Sequence, residues 1–171
     1  MKNIYQLFLH IAFVVLGLGM TAPSMAQPSN VNLAGEQRML TQRIAKLYCQ
    51  QGLGILPAQT PSVLVDVKNR FEANLKALKP VVAASRSAAT VQAYQRLGTE
   101  WTALKRTIVL PVSREAAVRL VHQAELTLVA AENLTGVIED QSPSPSSRVV
   151  NIAGRQRMLS QRIASQYLLL S

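Results

Sequence analysis

Residues 31–48 read VNLAGEQRMLTQRIAKLY, and residues 150–167 read VNIAGRQRMLSQRIASQY. Thirteen of these eighteen positions are identical, and Leu33/Ile152 and Thr41/Ser160 differ conservatively. The offset is a constant 119 residues, so one local design is used at two places in the chain. Its apolar residues fall three and four apart, the spacing of one face of an α-helix. More than a core pattern is repeated, however: an Ala-Gly pair, two arginines, two glutamines and a methionine recur in both copies. Two arginines beside a glycine, where the side chain vanishes, suit a cradle for something negative.

Outward from the first copy, the chain reads as a series of amphipathic helices. Asn30 or Asn32 can cap a helix whose stripe is Leu33, Leu40, Ile44 and Leu47, and Gly52-Leu53-Gly54 with Pro57 stop it. Thr60-Pro61 opens a second helix, with Thr as cap and Pro in the first turn. Its stripe is Leu64, Val67, Phe71, Leu75, Leu78 and Val82, and Pro80 is expected to kink it or end it early. A third stripe runs Val91, Tyr94, Leu97, Trp101, Leu104 and Ile108, closed by Pro111. Ser113 caps a fourth helix with Ala117, Val121, Ala124, Leu128, Ala131 and Ile138 inward, small enough for close helix approach. No segment alternates with a period of two, so strands are not expected. The fold class is all-α: an antiparallel four-helix bundle over residues 30–140. A Ser/Pro linker at 141–148 is expected to be extended, and residues 149–171 form an extra C-terminal helix. That helix reads as the start of a second, incomplete module, docked either on the bundle or on a partner.

Composition sets the outer limits. A chain of 171 residues holds one domain of ordinary size, and 49 % hydrophobic with only 5 % aromatic residues favours aliphatic helix packing. Eighteen Lys plus Arg against nine Asp plus Glu give +9, which suits anionic ligands, head-groups or nucleic acid. The basic residues are dispersed and aromatics for base stacking are scarce, which argues against nucleic acid. Lys2, the apolar run from Ile4 to Met20 and Ser24-Met25-Ala26 read as a signal peptide, residues 1–26, cut after Ala26. The mature chain is then periplasmic; the alternative is an inner-membrane anchor at residues 4–20, the only case in which a membrane is a partner. Cys49 is the only cysteine, so an intrachain disulfide is excluded, leaving a buried thiol or a bridge between chains.

The repeated polar residues lie off the core stripe. With about 100° per residue, Arg38 falls opposite the arc of Leu33, Leu40, Ile44 and Leu47, with Gly35 and Gln42 beside it and Arg43 on the flank. Gly154, Arg157 and Gln161, flanked by Arg162, form the same face in the second copy. A second face on a core helix is where another helix or a second protomer sits. The plainer reading makes Arg38 and Arg43 exposed or intrahelically paired, and lets Gln37, Gln42 and their counterparts set helix register. Met39 and Met158 read as packing residues, Trp101 as a core anchor, His122 as a partly exposed polar residue, and Arg114 and Arg119 as a solvated face.

The string Asn-x-Ala-Gly-x-Gln-Arg-Met-Leu-Ser/Thr-Gln-Arg, opening an exported helical bundle, resembles the sensory N-terminal domain of NarX-type nitrate sensors. Its Gln-Arg-Met-Leu form is nearer to the PilJ-type domain of pilus-associated chemotaxis transducers. The similarity is strongest over Asn32–Ala45 and Asn151–Ala164, and weaker over the bundle, including Trp101 and the Ala124 to Thr135 region. The resemblance implies a small-oxyanion site, for nitrate or nitrite, at a two-fold seam between helices. Arg38 and Arg157 match the family's anion-binding arginine, Arg43 and Arg162 the later arginine, and Gly35 and Gly154 the glycine; Gln42 and Gln161 share their face. Position 37 is Gln where the nitrate sensors carry an apolar residue. A planar guanidinium fork matches a planar three-oxygen anion, and a bound anion relieves repulsion between facing arginines. Expected partners are therefore a small inorganic anion and a second protomer or helical protein.

No nucleophile–base–orienter set, glycine-rich phosphate loop or metal-ligand spacing is present, so no enzyme, cofactor or metal site is expected. Two functions remain: a periplasmic sensory module that binds a small anion and acts through a partner, or a ligand-free helical interaction module.

Overall fold

A computed structural model describes residues 28–141 and 144–170, which form five helices and no strand among them. They are α1 (Pro28–Gly52), α2 (Thr60–Ser85), α3 (Ala88–Ile108), α4 (Arg114–Asp140) and α5 (Pro145–Leu170). The expected signal peptide lies outside the described residues. Among those described, no helix is long and apolar enough to cross a membrane.

The first four helices build the expected bundle because their apolar stripes converge. Leu40 and Ile44 of α1, Phe71 and Leu78 of α2, Leu97 and Leu104 of α3, and Leu120, Leu134 and Ile138 of α4 are all buried. Trp101 is the expected anchor: it is buried and stacks on Phe71 with ring centroids 4.0 Å apart. Such stacking adds directional preference to the area the two rings bury. In α3 the buried edge shifts slightly, with Thr90 and Ala93 inside and Val91 turned out. α1 is the hub, packing on α2, α4 and α5, while α3 packs mainly on α4.

Helix ends differ from expectation where local chemistry outweighs the simplest signal. α1 is already helical at Pro28, a residue well suited to a first turn, so Asn30 and Asn32 lie inside it and cap nothing. Thr60 is not an N-cap. Its hydroxyl donates to the carbonyls of Ile55 and Leu56 at 3.1 and 3.0 Å, serving the tight reversal in which Gly54 and Leu56 take positive φ. Pro80 neither ends nor shortens α2, which runs on to Ser85 and stops at the left-handed Arg86 (φ 52°). Its ring sits on the exposed side of the helix, where the carbonyl it frees can turn to water. Ser113 caps α4 as expected, accepting from Ala116 N at 3.1 Å, and Ser87 caps α3 in the same way.

The Ser/Pro stretch is not extended throughout. Ser144 accepts from the backbone N–H of Ser147 at 3.0 Å and Pro145 takes the first helical position, so α5 begins before the repeat does. α5 then lies on its own bundle, in the groove between α1 and α4. It runs parallel to α1, since Arg157 reaches Asn32 and, further along both helices, Ser165 reaches Gln42. Against α4 it is antiparallel, with Arg155 on Glu132 and Arg162 on Glu125.

Candidate functional site

The second face of α1 is covered by α5, so the two copies of the repeat face each other in register. At the centre lies Arg38, whose residue exposure is 0 %. Its Nε donates to the Gly35 carbonyl at 3.2 Å and its Nη2 to the Asn151 carbonyl at 3.2 Å, while Nη1 pairs with Glu132 of α4. The glycines matter for space, not for backbone freedom, because both lie within helices. A Cβ at Gly35 would stand 2.8 Å from Arg38 Nη2, and one at Gly154 would stand 3.0 Å from the same atom. The guanidinium is thus threaded between the glycines of both copies.

The contacts are approximately reciprocal. Arg38 of the first copy bonds Asn151 of the second, and Arg157 of the second donates to Asn32 Oδ1 of the first at 3.2 Å. The pseudo-symmetry breaks at α4, which supplies a carboxylate to Arg38 while Arg157 stays exposed. Glu132 is shared: its second oxygen takes Arg155 Nη2 at 2.7 Å, so two guanidinium groups meet one carboxylate whose side chain is 30 % exposed. The cluster carries a net positive charge at a partly wet seam, an arrangement that attracts anions.

One turn-pair along, the pattern repeats. Glu125 accepts from Gln42 Nε2 at 3.2 Å and receives Arg162 through both carboxylate oxygens, at 3.1 and 2.7 Å. Glu139 accepts from the Asn151 amide. Glu125, Glu132 and Glu139 are seven residues apart on α4; Arg162 and Arg155, likewise seven apart on antiparallel α5, pair with the first two, and Asn151 holds the third. Sequence reading did not identify these glutamates or Arg155. The heptad spacing of both series is the signal that could have found them.

Of the expected site residues, the structure gathers Gly35, Arg38, Gln42 and Gly154 at the α1–α5 seam, with Arg157 and Arg162 at its edges. Gln161 is half-buried, and its Oε1 has no hydrogen-bond partner among the described residues, as is true of Asn151 Oδ1. Arg43 stands apart: half-buried on the flank, it forms no ion pair among the described residues. Burial first, and Arg43 second, lower the pKa of Lys46. Gln37, buried on the other side, donates to the Phe71 carbonyl at 3.0 Å, which is the register role open to it. His122 is exposed, as are Arg114 and Arg119.

Cys49 is buried near the end of α1, where burial raises its thiol pKa and so favours the neutral thiol over the nucleophilic thiolate. It lines an open cavity of about 210 Å³ with Tyr48, Leu53, Val112, Leu168 and Leu169. Burial also raises the Tyr48 hydroxyl, which donates to the Leu110 carbonyl at 3.2 Å. Among the described residues, no group of three or more His, Cys, Asp or Glu could hold a metal ion.

A family profile described as PilJ, type IV pili methyl-accepting chemotaxis transducer N-terminal, matches residues 23–127. The match covers the first copy of the repeat, α2, α3 and the first half of α4, which is more than half of the chain. No curated protein and no solved structure matches it.

Proposed function

The chain belongs to the PilJ family of chemotaxis-transducer N-terminal domains, and from that premise we propose an exported sensory module that reads a small oxyanion at the α1–α5 seam. The anion class is that of nitrate and nitrite, and the output passes to a helical partner. The family is one of sensory domains, not of enzymes. One observation carries the ligand reading. Arg38 is buried between Gly35 and Gly154 and shares with Arg155 a single, partly exposed carboxylate. Glu132 then stands where a diffusible anion would stand, and a planar oxyanion competes with it for the same guanidinium fork. Displacing Glu132 from both guanidinium groups releases the α1–α4 bond through Arg38 and the α4–α5 bond through Arg155, which frees α5 to shift along α1. Binding and helix position are then linked, which is what a sensory domain requires.

Calorimetric titration of the protein with nitrate, nitrite, sulfate and chloride tests this reading. Saturable heat with nitrate or nitrite is expected, roughly tenfold tighter in Glu132→Gln because the competitor is gone, and absent in Arg38→Ala. Flat heats in both the unaltered protein and Glu132→Gln refute the ligand. The Arg38–Glu132 pair also favours a second reading, in which the carboxylate closes the seam permanently and the domain is a ligand-free interaction module. On that account Glu132→Gln lowers the melting temperature and no anion restores it.

A further inference from the structure

The two copies of the repeat carry the same residues with opposite exposure. Ala34, Gln37 and Ile44 of α1 are each 0 % exposed. Their counterparts in α5, Ala153, Gln156 and Ile163, are all exposed, with Ile163 at 71 %. α1 packs on α2 and α4 as well as on α5, and on this face Gln37 bonds the Phe71 carbonyl of α2. We infer that the outer face of α5 is a docking surface for a second set of helices of the α2–α4 pattern, belonging to another module of this family, so that the seam joins two bundles back to back.

The repeat identifies the occupant. Ile44 needs an apolar pocket between helices, and Ile163 has the same shape at the same register. Gln37 donates to the carbonyl of Phe71 on α2, so Gln156 is equipped for a carbonyl presented by a helix in the same place. A lipid surface offers no such acceptor at that depth. Positions Ala153, Gln156, Ser160 and Ile163 carry no charge, unlike an ordinary solvated face. One departure defines specificity. Glu36 of α1 holds Arg70 and Asn74 of α2, but position 155 is Arg. Arg155 pairs with Glu132 while more than half of its side chain stays exposed, so the incoming helix meets a guanidinium there and needs an acidic residue where α2 has Arg70.

The test extends the full chain. Residues 53–141 are repeated directly after Ser171, the position equivalent to Gly52, with Arg70→Glu in the added copy only. The added segment is expected to become helical and protease-resistant and to slow amide exchange along α5. Ile163→Glu should unfold the added segment while leaving the first bundle's helical signal in place, since Ile163 contributes little to that bundle. An added segment that remains protease-sensitive in the parent fusion overturns the inference, and so does one that folds despite Ile163→Glu. Sedimentation of the unextended chain as a dimer that Ile163→Glu dissociates would assign the face to a second copy and overturn it equally.

Discussion

A fully buried guanidinium is costly unless its charge and its donors are met; Glu132 meets the charge of Arg38, and that carboxylate and two carbonyls give each of its three nitrogens a partner. Gly35 and Gly154 make the room. Alanine at position 154 puts a Cβ 3.0 Å from Nη2, and that atom cannot simply swing away while it holds the Asn151 carbonyl. Losing a hydrogen bond from a charged donor costs about 1.5–3 kcal/mol. Replacing Gly by Ala within a helix returns roughly 1 kcal/mol. Gly154→Ala is therefore expected to destabilise the protein by about 1 kcal/mol net, measured by urea unfolding. Gly98→Ala in α3, where an added Cβ meets nothing within 4 Å, supplies the contrast and should stabilise. Equal stabilisation by both would mean that the glycine of the repeat is not there for the arginine.

Between elements, the same residue takes different weights in the two copies. Ile44 is fully buried in the apolar core, and its replacement by Ala removes buried methyl groups for about 2–5 kcal/mol. Ile163→Ala at the matching position should stay within roughly 0.5 kcal/mol of the parent. Chemical denaturation of the two variants side by side reads the asymmetry directly. The stripes of α2 and α4 were legible because apolar residues three and four apart advertise a core, and the second face of α1 because Gly35, Arg38 and Gln42 repeat away from that core. The α4 side of the seam was not legible. Glu125, Glu132 and Glu139 look like a solvated face until α5 is laid upon it, and a seam made of Ser147, Gly154, Met158 and Ser165 shows little apolar period. The start of α5 is hidden for a related reason: a Ser/Pro run reads as linker by composition, yet Ser144-Pro145 is an N-cap followed by a first-turn proline.

Across the whole molecule, the attachment of α5 differs in kind from that of the other helices. α1 to α4 share a continuous apolar core, whereas α5 adds mainly small and polar residues together with two ion pairs whose arginine side chains are 56 % and 44 % exposed. Each such pair contributes about 0.2–1 kcal/mol and is screened by salt. Raising ionic strength to about 1 M shortens the screening length to about 3 Å, which weakens the Glu132–Arg155 and Glu125–Arg162 contacts more than any apolar contact. Hydrogen exchange should therefore show α5 opening as a separate unit, below the global unfolding free energy, with its amides exchanging faster as salt rises. Those of α1 to α4 should hold. The double variant Arg155→Gln/Arg162→Gln should exchange quickly along α5 at low salt and lose most of the salt dependence. Uniform exchange across all five helices, indifferent to salt, would instead make α5 part of one cooperative unit and leave the domain without a movable helix. A helix that opens alone gives the bundle two arrangements separated by less than the global unfolding free energy, and a ligand or partner that prefers one of them shifts their balance by its differential affinity, which is felt along the length of the seam.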